Sequence, residues 1–161
     1  MTDLQSTASR IAARLITRGE TVAISESAAG GLIAAALIEV PGASRYFLGG
    51  GVVYTAAARE ALLGIGTAEM SGLRSASEPY AQLAARTIRE RLGATWGLAE
   101  TGAAGPTGNR YGDAAGHACL AVSGPTEVVR TLETGSSDRA PNMRTFALAA
   151  LALLAEALAA R

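Results

Sequence analysis

Thr21-Val22-Ala23-Ile24-Ser25-Glu26-Ser27-Ala28-Ala29-Gly30-Gly31-Leu32-Ile33-Ala34-Ala35-Ala36-Leu37-Ile38-Glu39 decides the fold class. Residues 21–25 form a short apolar run of strand character, and residues 27–31 are small turn-formers. From about residue 30 the chain is helical until Pro41-Gly42 stops it. A buried strand that turns at once into a helix is the unit of an α/β sheet. Upstream, Leu4, Ala8, Ile11, Ala12, Leu15 and Ile16 share one face of a helix over residues 4–18, which Gly19 ends.

Downstream, residues 46–55 read as a strand interrupted by Gly49-Gly50-Gly51, glycines that suggest a bulge or a close backbone approach. Short helical pieces are expected near 56–63 and 67–72. Ser77-Glu78-Pro79 opens a stronger helix to about residue 92, with serine as N-cap and proline in the first turn. A strand over 95–100 leads to the loop Thr101-Gly102-Ala103-Ala104-Gly105-Pro106-Thr107-Gly108. Residues 109–115 read as mobile surface. Strands near 116–123 and 127–134, joined by Gly124-Pro125, form an antiparallel hairpin, and a last helix starts near 137–141. No internal repeat or interdomain linker interrupts the 161 residues, so one domain is expected. Early strand–helix alternation followed by a hairpin predicts a three-layer α/β/α sandwich with a mixed sheet.

Composition narrows function. Net charge is zero, aromatics are 4% and no basic stripe is present, which argues against nucleic-acid binding. All fourteen basic residues are arginine, so no lysine is available as a general base. The one cysteine, Cys119, allows no internal disulfide and lies in a strand, where a buried inert thiol is expected. Residues 1–5 lack signal-peptide character, and Glu156 interrupts the apolar run 146–155 short of a membrane span. A cytoplasmic protein with no membrane partner is the expectation. His117, Cys119 and Asp113 form no recognisable ligand set, so neither metal nor cofactor is expected.

Two loops carry the chemistry. Ser27 sits between a strand end and a helix start, where free N–H groups could hold an anion or a developing oxyanion; equally, Ser27 could simply cap the helix. The 101–108 loop lies beyond a strand end, where open α/β sheets bind ligands, and its backbone could cradle a phosphate. It matches neither a P-loop nor a dinucleotide fingerprint, and an ordinary long turn is the alternative.

Taken together these segments resemble the CinA C-terminal domain family. Glu26-Ser27-x-x-Gly30-Gly31 resembles its E-S-C-T-G-G motif, and Gly50-x-Val52-x-Tyr54 its G-x-V-x-Y segment. Ser77-Glu78-Pro79 matches S-E-P, and Thr101-Gly102-x-Ala104-Gly105-Pro106-x-Gly108 matches T-G-x-A-G-P-x-G. The resemblance implies a five-stranded mixed sheet and hydrolysis of nicotinamide mononucleotide to nicotinate mononucleotide and ammonia. By position it implies Ser27 as nucleophile with Tyr54 and Arg59 as its partners. Glu26, Gly30, Gly31, Thr101, Gly102, Ala104 and Gly105 are the substrate-binding set it implies. In larger family members another domain precedes this one; its activities are not carried over.

The chain departs from the family at the reacting centre. The family's lysine is Arg59, whose use as a base would require a shift of about five pKa units, about 7 kcal/mol. Arg59 could instead hold a phosphate or carboxylate. The Cys-Thr pair is Ala28-Ala29, and His117 stands where the family has threonine. His117 has two readings, a substitute base or a satisfied structural residue. Glu26 likewise lies beside the serine yet suits helix-terminus electrostatics or a buried hydrogen bond. Three functions follow: a serine amidohydrolase of a pyridine nucleotide, a pyridine-nucleotide binder that has lost hydrolysis, or a scaffold whose alanine-rich helices assemble a homo-oligomer.

Overall fold

The computed structural model describes residues 3–161. Helix α1 (Leu4–Arg18) is capped by the Asp3 side chain on the Ser6 N–H and closed by Gly19 in the left-handed conformation. Strand β1 (Val22–Glu26) is buried throughout, and α2 (Leu32–Glu39) follows it after a five-residue turn. Strand β2 (Phe47–Val52) leads to α3 (Ala56–Ala58), which continues as a π-helical turn, Arg59–Leu63. Helix α4 (Glu78–Leu92) starts at Ser77 as N-cap with Pro79 in its first turn, as the sequence predicts. Then come β3 (Trp96–Ala103), β4 (His117–Ser123), β5 (Val128–Glu133) and α5 (Arg139–Ala159).

The sheet order is β2-β1-β3-β4-β5. Strands β2, β1 and β3 are parallel, with Val22 beside Phe47 and Trp96, whereas β4 runs antiparallel to both its neighbours, β3 and β5. This is the expected five-stranded mixed sheet. Helices α1, α2 and α5 bury Ile11, Leu15, Ile33, Leu37, Phe146 and Leu154 against one face. Helix α4 buries Tyr80, Ala81, Ala84 and Ala85 against the other, which completes the three layers. Helix and sheet approach closely at Gly97, where a Cβ would run into the Ala85 carbonyl and lie 2.8 Å from the Arg89 Cβ. On β2 the expected irregularity is a register shift opposite Val22/Ala23. Gly50 there packs its backbone against Ile24, leaving no room for a side chain.

Four expectations are corrected. Residues 67–72 form turns, not a helix. The first three residues of the 101–108 loop are strand, because Thr101, Gly102 and Ala103 pair with Cys119, Ala118 and His117. The segment 109–115 is held, not loose: Asn109 Oδ1 accepts from the Tyr111 and Asp113 N–H groups, and Asp113 receives both Arg74 Nη atoms. Finally, α5 at 21 residues, with mean hydropathy 1.3 over its apolar window, has the length and composition of a membrane span. Glu156 is its only acid between 139 and 159 and is too close to the end to shorten it. In the fold half of that window is buried, and Glu156 pairs with Arg130 at 2.8 Å.

Candidate functional site

A cavity of about 760 Å³ opens beyond the carboxyl ends of the three parallel strands. Ser27 enters it from the turn after β1, Tyr54 from the end of β2, and Thr101 and Gly102 from β3. The side wall is formed by Arg59 and residues 74–76, and the rim by Asn109, Arg110 and Tyr111. A smaller cavity of about 230 Å³ adjoins it, lined by Gly102, Ala104, Gly105 and Arg139, with Tyr54 between the two.

Two buried carboxylates shape the Ser27 turn. Glu26, 1% exposed, accepts the Gly31 (3.1 Å) and Ile33 (2.9 Å) N–H groups on Oε1 and that of Ala34 (2.8 Å) on Oε2. Burial raises its pKa, and these three bonds oppose the rise. Glu100, 2% exposed, accepts the Ser27 (2.9 Å) and Ala29 (2.8 Å) N–H groups on Oε1, while its Oε2 is buried without a partner. Burial pushes Glu100 up to about 7, the Ala29 and Ser27 N–H groups draw it down, and the charge of Glu26 adds to the rise.

The N–H groups expected to serve an anion at the start of α2 are therefore engaged by protein carboxylates. Glu26, expected at the substrate, lines neither cavity; its carboxylate caps the start of α2. Replacing it with alanine leaves three N–H groups orphaned; a loss of about 3 kcal/mol is expected, read from urea unfolding. Gly30 and Gly31 also line neither cavity: Gly31 is the N-cap of α2 at φ 101°, and Gly30 faces Met143.

The remaining expected residues separate into two groups. Ser27, Tyr54, Arg59, Thr101 and Gly102 meet at the large cavity, whereas Ala104 and Gly105 line only the small one. Among the described residues, no protein group hydrogen-bonds the Ser27 hydroxyl. Arg59 donates Nε to the Ile65 carbonyl at 3.0 Å. Tyr54, 59% exposed, accepts from Arg139 Nη2 at 3.0 Å, and Arg139 Nη1 donates to the Gly105 carbonyl at 2.6 Å. Thr101 Oγ1 accepts the Ala76 N–H at 3.2 Å.

His117 lies behind the wall and lines neither cavity. Nδ1 faces Glu133 Oε1 at 2.5 Å and Nε2 faces the Ala76 carbonyl at 2.8 Å. Two acceptors call for two ring protons, so His117 is not a substitute base. Cys119 is buried as expected, its thiol pushed up by burial.

Arg74, Asn109, Arg110 and Tyr111 were not foreseen at the site. Arg74 and Arg110 each stack at 5.1 Å from the Tyr111 ring centroid. Among the described residues, the three charged ones that line the large cavity, Arg59, Arg74 and Arg110, are all arginines, and none is a carboxylate. The signal for Glu26 and Glu100 was present in sequence, an acid closing a run that otherwise suits a buried strand.

The family model of the CinA C-terminal domain matches residues 4–158. A CinA-like protein of Anaeromyxobacter dehalogenans is 42% identical over 150 residues, 92% of this chain and 36% of its own length. One from Prochlorococcus marinus is 43% identical over 123 residues, 76% of this chain and 29% of its own. The chain thus spans about a third of the length of these relatives. A CinA-superfamily protein of Klebsiella pneumoniae superposes with TM-score 0.92 at 25% identity, covering 99% of this chain and 100% of its own. The competence/damage-inducible protein of Agrobacterium tumefaciens gives 0.89 at 30%, with 97% and 96% covered. Motifs, fold and relatives agree, and the chain belongs to the CinA C-terminal domain family.

Proposed function

We propose that the large cavity binds a pyridine mononucleotide of the nicotinamide mononucleotide type, with the carboxamide toward Ser27, and that this chain binds without hydrolysing. One observation carries both halves: every charged group on the cavity wall is an arginine. Guanidinium groups attract a phosphate, and the tyrosines among them offer faces for an aromatic base. The same groups cannot take the proton of Ser27, and Arg59 is committed to the Ile65 carbonyl.

A second reading, serine-dependent hydrolysis, is favoured by Glu100. Its carboxyl, near 7, contacts the Ser27 N–H and has one unpartnered oxygen, so it can exchange a proton at neutral pH. Calorimetric binding of nicotinamide mononucleotide and ammonia release, measured on the native protein, Ser27→Ala, Arg59→Lys and Glu100→Gln, separate the two. Micromolar binding with no ammonia, and turnover appearing in Arg59→Lys, is the expected result. Ammonia from the native protein that disappears in Ser27→Ala and Glu100→Gln would establish hydrolysis instead. Absence of binding would remove both readings.

A further inference from the structure

The chain has a single histidine, and it sits behind the cavity wall with every surrounding partner an acceptor or an acid. Glu133 of β5 and the Ala76 carbonyl face its two nitrogens, and Asp113 Oδ2 lies 3.5 Å from Nε2. The Cys119 thiol of β4 is 3.7 Å from Nε2. Thr131 joins that thiol to Glu78 of α4, and Arg74 Nη1 donates to the same Asp113 Oδ2 at 2.8 Å. No other charged group faces the ring among the described contacts.

Ala76 needs such a partner. Its φ of +55° is the one left-handed conformation at a non-glycine residue among the described residues. Its N–H is held by Thr101, and its carbonyl accepts from His117 and from Arg74 Nη1 at 3.3 Å. Ala76 and Arg74 both line the cavity. We infer that His117 is a positioning residue: as an imidazolium it pins Ala76 and, through Asp113, orients Arg74, so the binding wall is set by a group that never touches the ligand. The ligand class rests on the nucleotide reading; the pin does not.

The sign of the pH effect follows from the partners. Burial lowers the His117 pKa, but Glu133, the Ala76 carbonyl and the charge of Asp113 together raise it above the ordinary 6.5. The pin is fully set below about 6.5 and weakens as pH rises through the raised value. On losing a proton the ring keeps Nε2–H on Ala76 as a neutral bond, and Glu133, whose side chain is 56% exposed, turns to water.

The test is a pH titration of 15N-labelled protein by NMR, in which the only histidine gives one set of ring signals. Nicotinamide mononucleotide affinity is measured over the same range. The ring is expected to titrate above 6.5, with the amides of Arg74, Ala76 and Tyr111 moving at the same midpoint. Affinity should fall about threefold across it, as a charge-assisted bond becomes a neutral one. Glu133→Gln, an exposed change that leaves the core intact, should move both midpoints down together. Amides of residues 74–76 that stay still while the ring titrates would overturn the pin, as would an affinity step that ignores Glu133→Gln. Amides that follow the ring in a protein that binds no nucleotide would keep the pin and reject the nucleotide reading.

Discussion

Glu100→Gln is expected to be more stable than the parent at pH 8 and to match it at pH 5. In the fold the Glu100 carboxyl titrates near 7, against 4.5 when solvated. The native state therefore holds its proton more tightly than the unfolded chain. Stability is complete below about 4.5, falls as pH rises, and levels off above about 7. At about 1.4 kcal/mol per unit the gap is worth about 3 kcal/mol, undiscounted for screening because the group is fully buried. Glutamine copies the protonated acid: its oxygen can accept the Ser27 and Ala29 N–H groups, while its amide meets the unpartnered Oε2 position. That orphan amide costs about 1 kcal/mol, leaving a net gain of about 2 kcal/mol at pH 8. The melting temperature should rise by about 4–8 °C there. An equal offset at both pH values would exclude charge burial as the cause.

Gly97→Ala is expected to cost about 3 kcal/mol, read as a lower urea midpoint at unchanged slope. At a position with open space this substitution stabilises by roughly 0.4–1 kcal/mol, because it restricts the unfolded chain. Gly97 reverses the sign because the new methyl meets the Ala85 backbone carbonyl, which no rotamer change can move. Relief requires α4 to lift from β3, and Tyr80 at the other end of α4 lines the cavity. A neutral or stabilising result would show that the helix rides on the sheet with slack.

The order of strands and helices was legible because each element announces itself locally. Ser77 with Pro79 starts α4, Gly19 and Gly93 end α1 and α4, and Gly124-Pro125 forces the hairpin. What failed were segments whose structure is decided from outside. Residues 67–72 have helix-forming composition yet turn across the cavity, with Thr67 and Met70 on its wall. Residues 109–115 look like free surface, and it takes the Arg74–Asp113 pair, 39 positions apart, to tie them to the cavity wall. The cavity residues Thr67, Met70, Asn109, Arg110 and Tyr111 were missed for this reason. Ser27, Tyr54 and Arg59 were legible through motif spacing, which reports inherited position. Motif spacing carries no information on whether neighbouring N–H groups are free, and here Glu26 and Glu100 had already taken them.

The parallel pairing at the centre of the sheet also sets the order in which the chain can assemble. Strand β1 lies between β2 and β3, and Thr21 meets Thr95, 74 positions further along the chain. Closing a loop of that length sacrifices chain freedom before any contact rewards it. The β4–β5 hairpin needs only its short turn and can form on the microsecond scale, about 1–10 μs. The edge that is last in sequence is thus the first that can exist, and β3 must find β1 before Glu100 has the Ser27 and Ala29 amide groups to receive. Until that long closure succeeds, a newly made chain carries Glu100 as an ordinary solvated acid, and the Ser27 turn lacks the carboxylate that holds its amide groups.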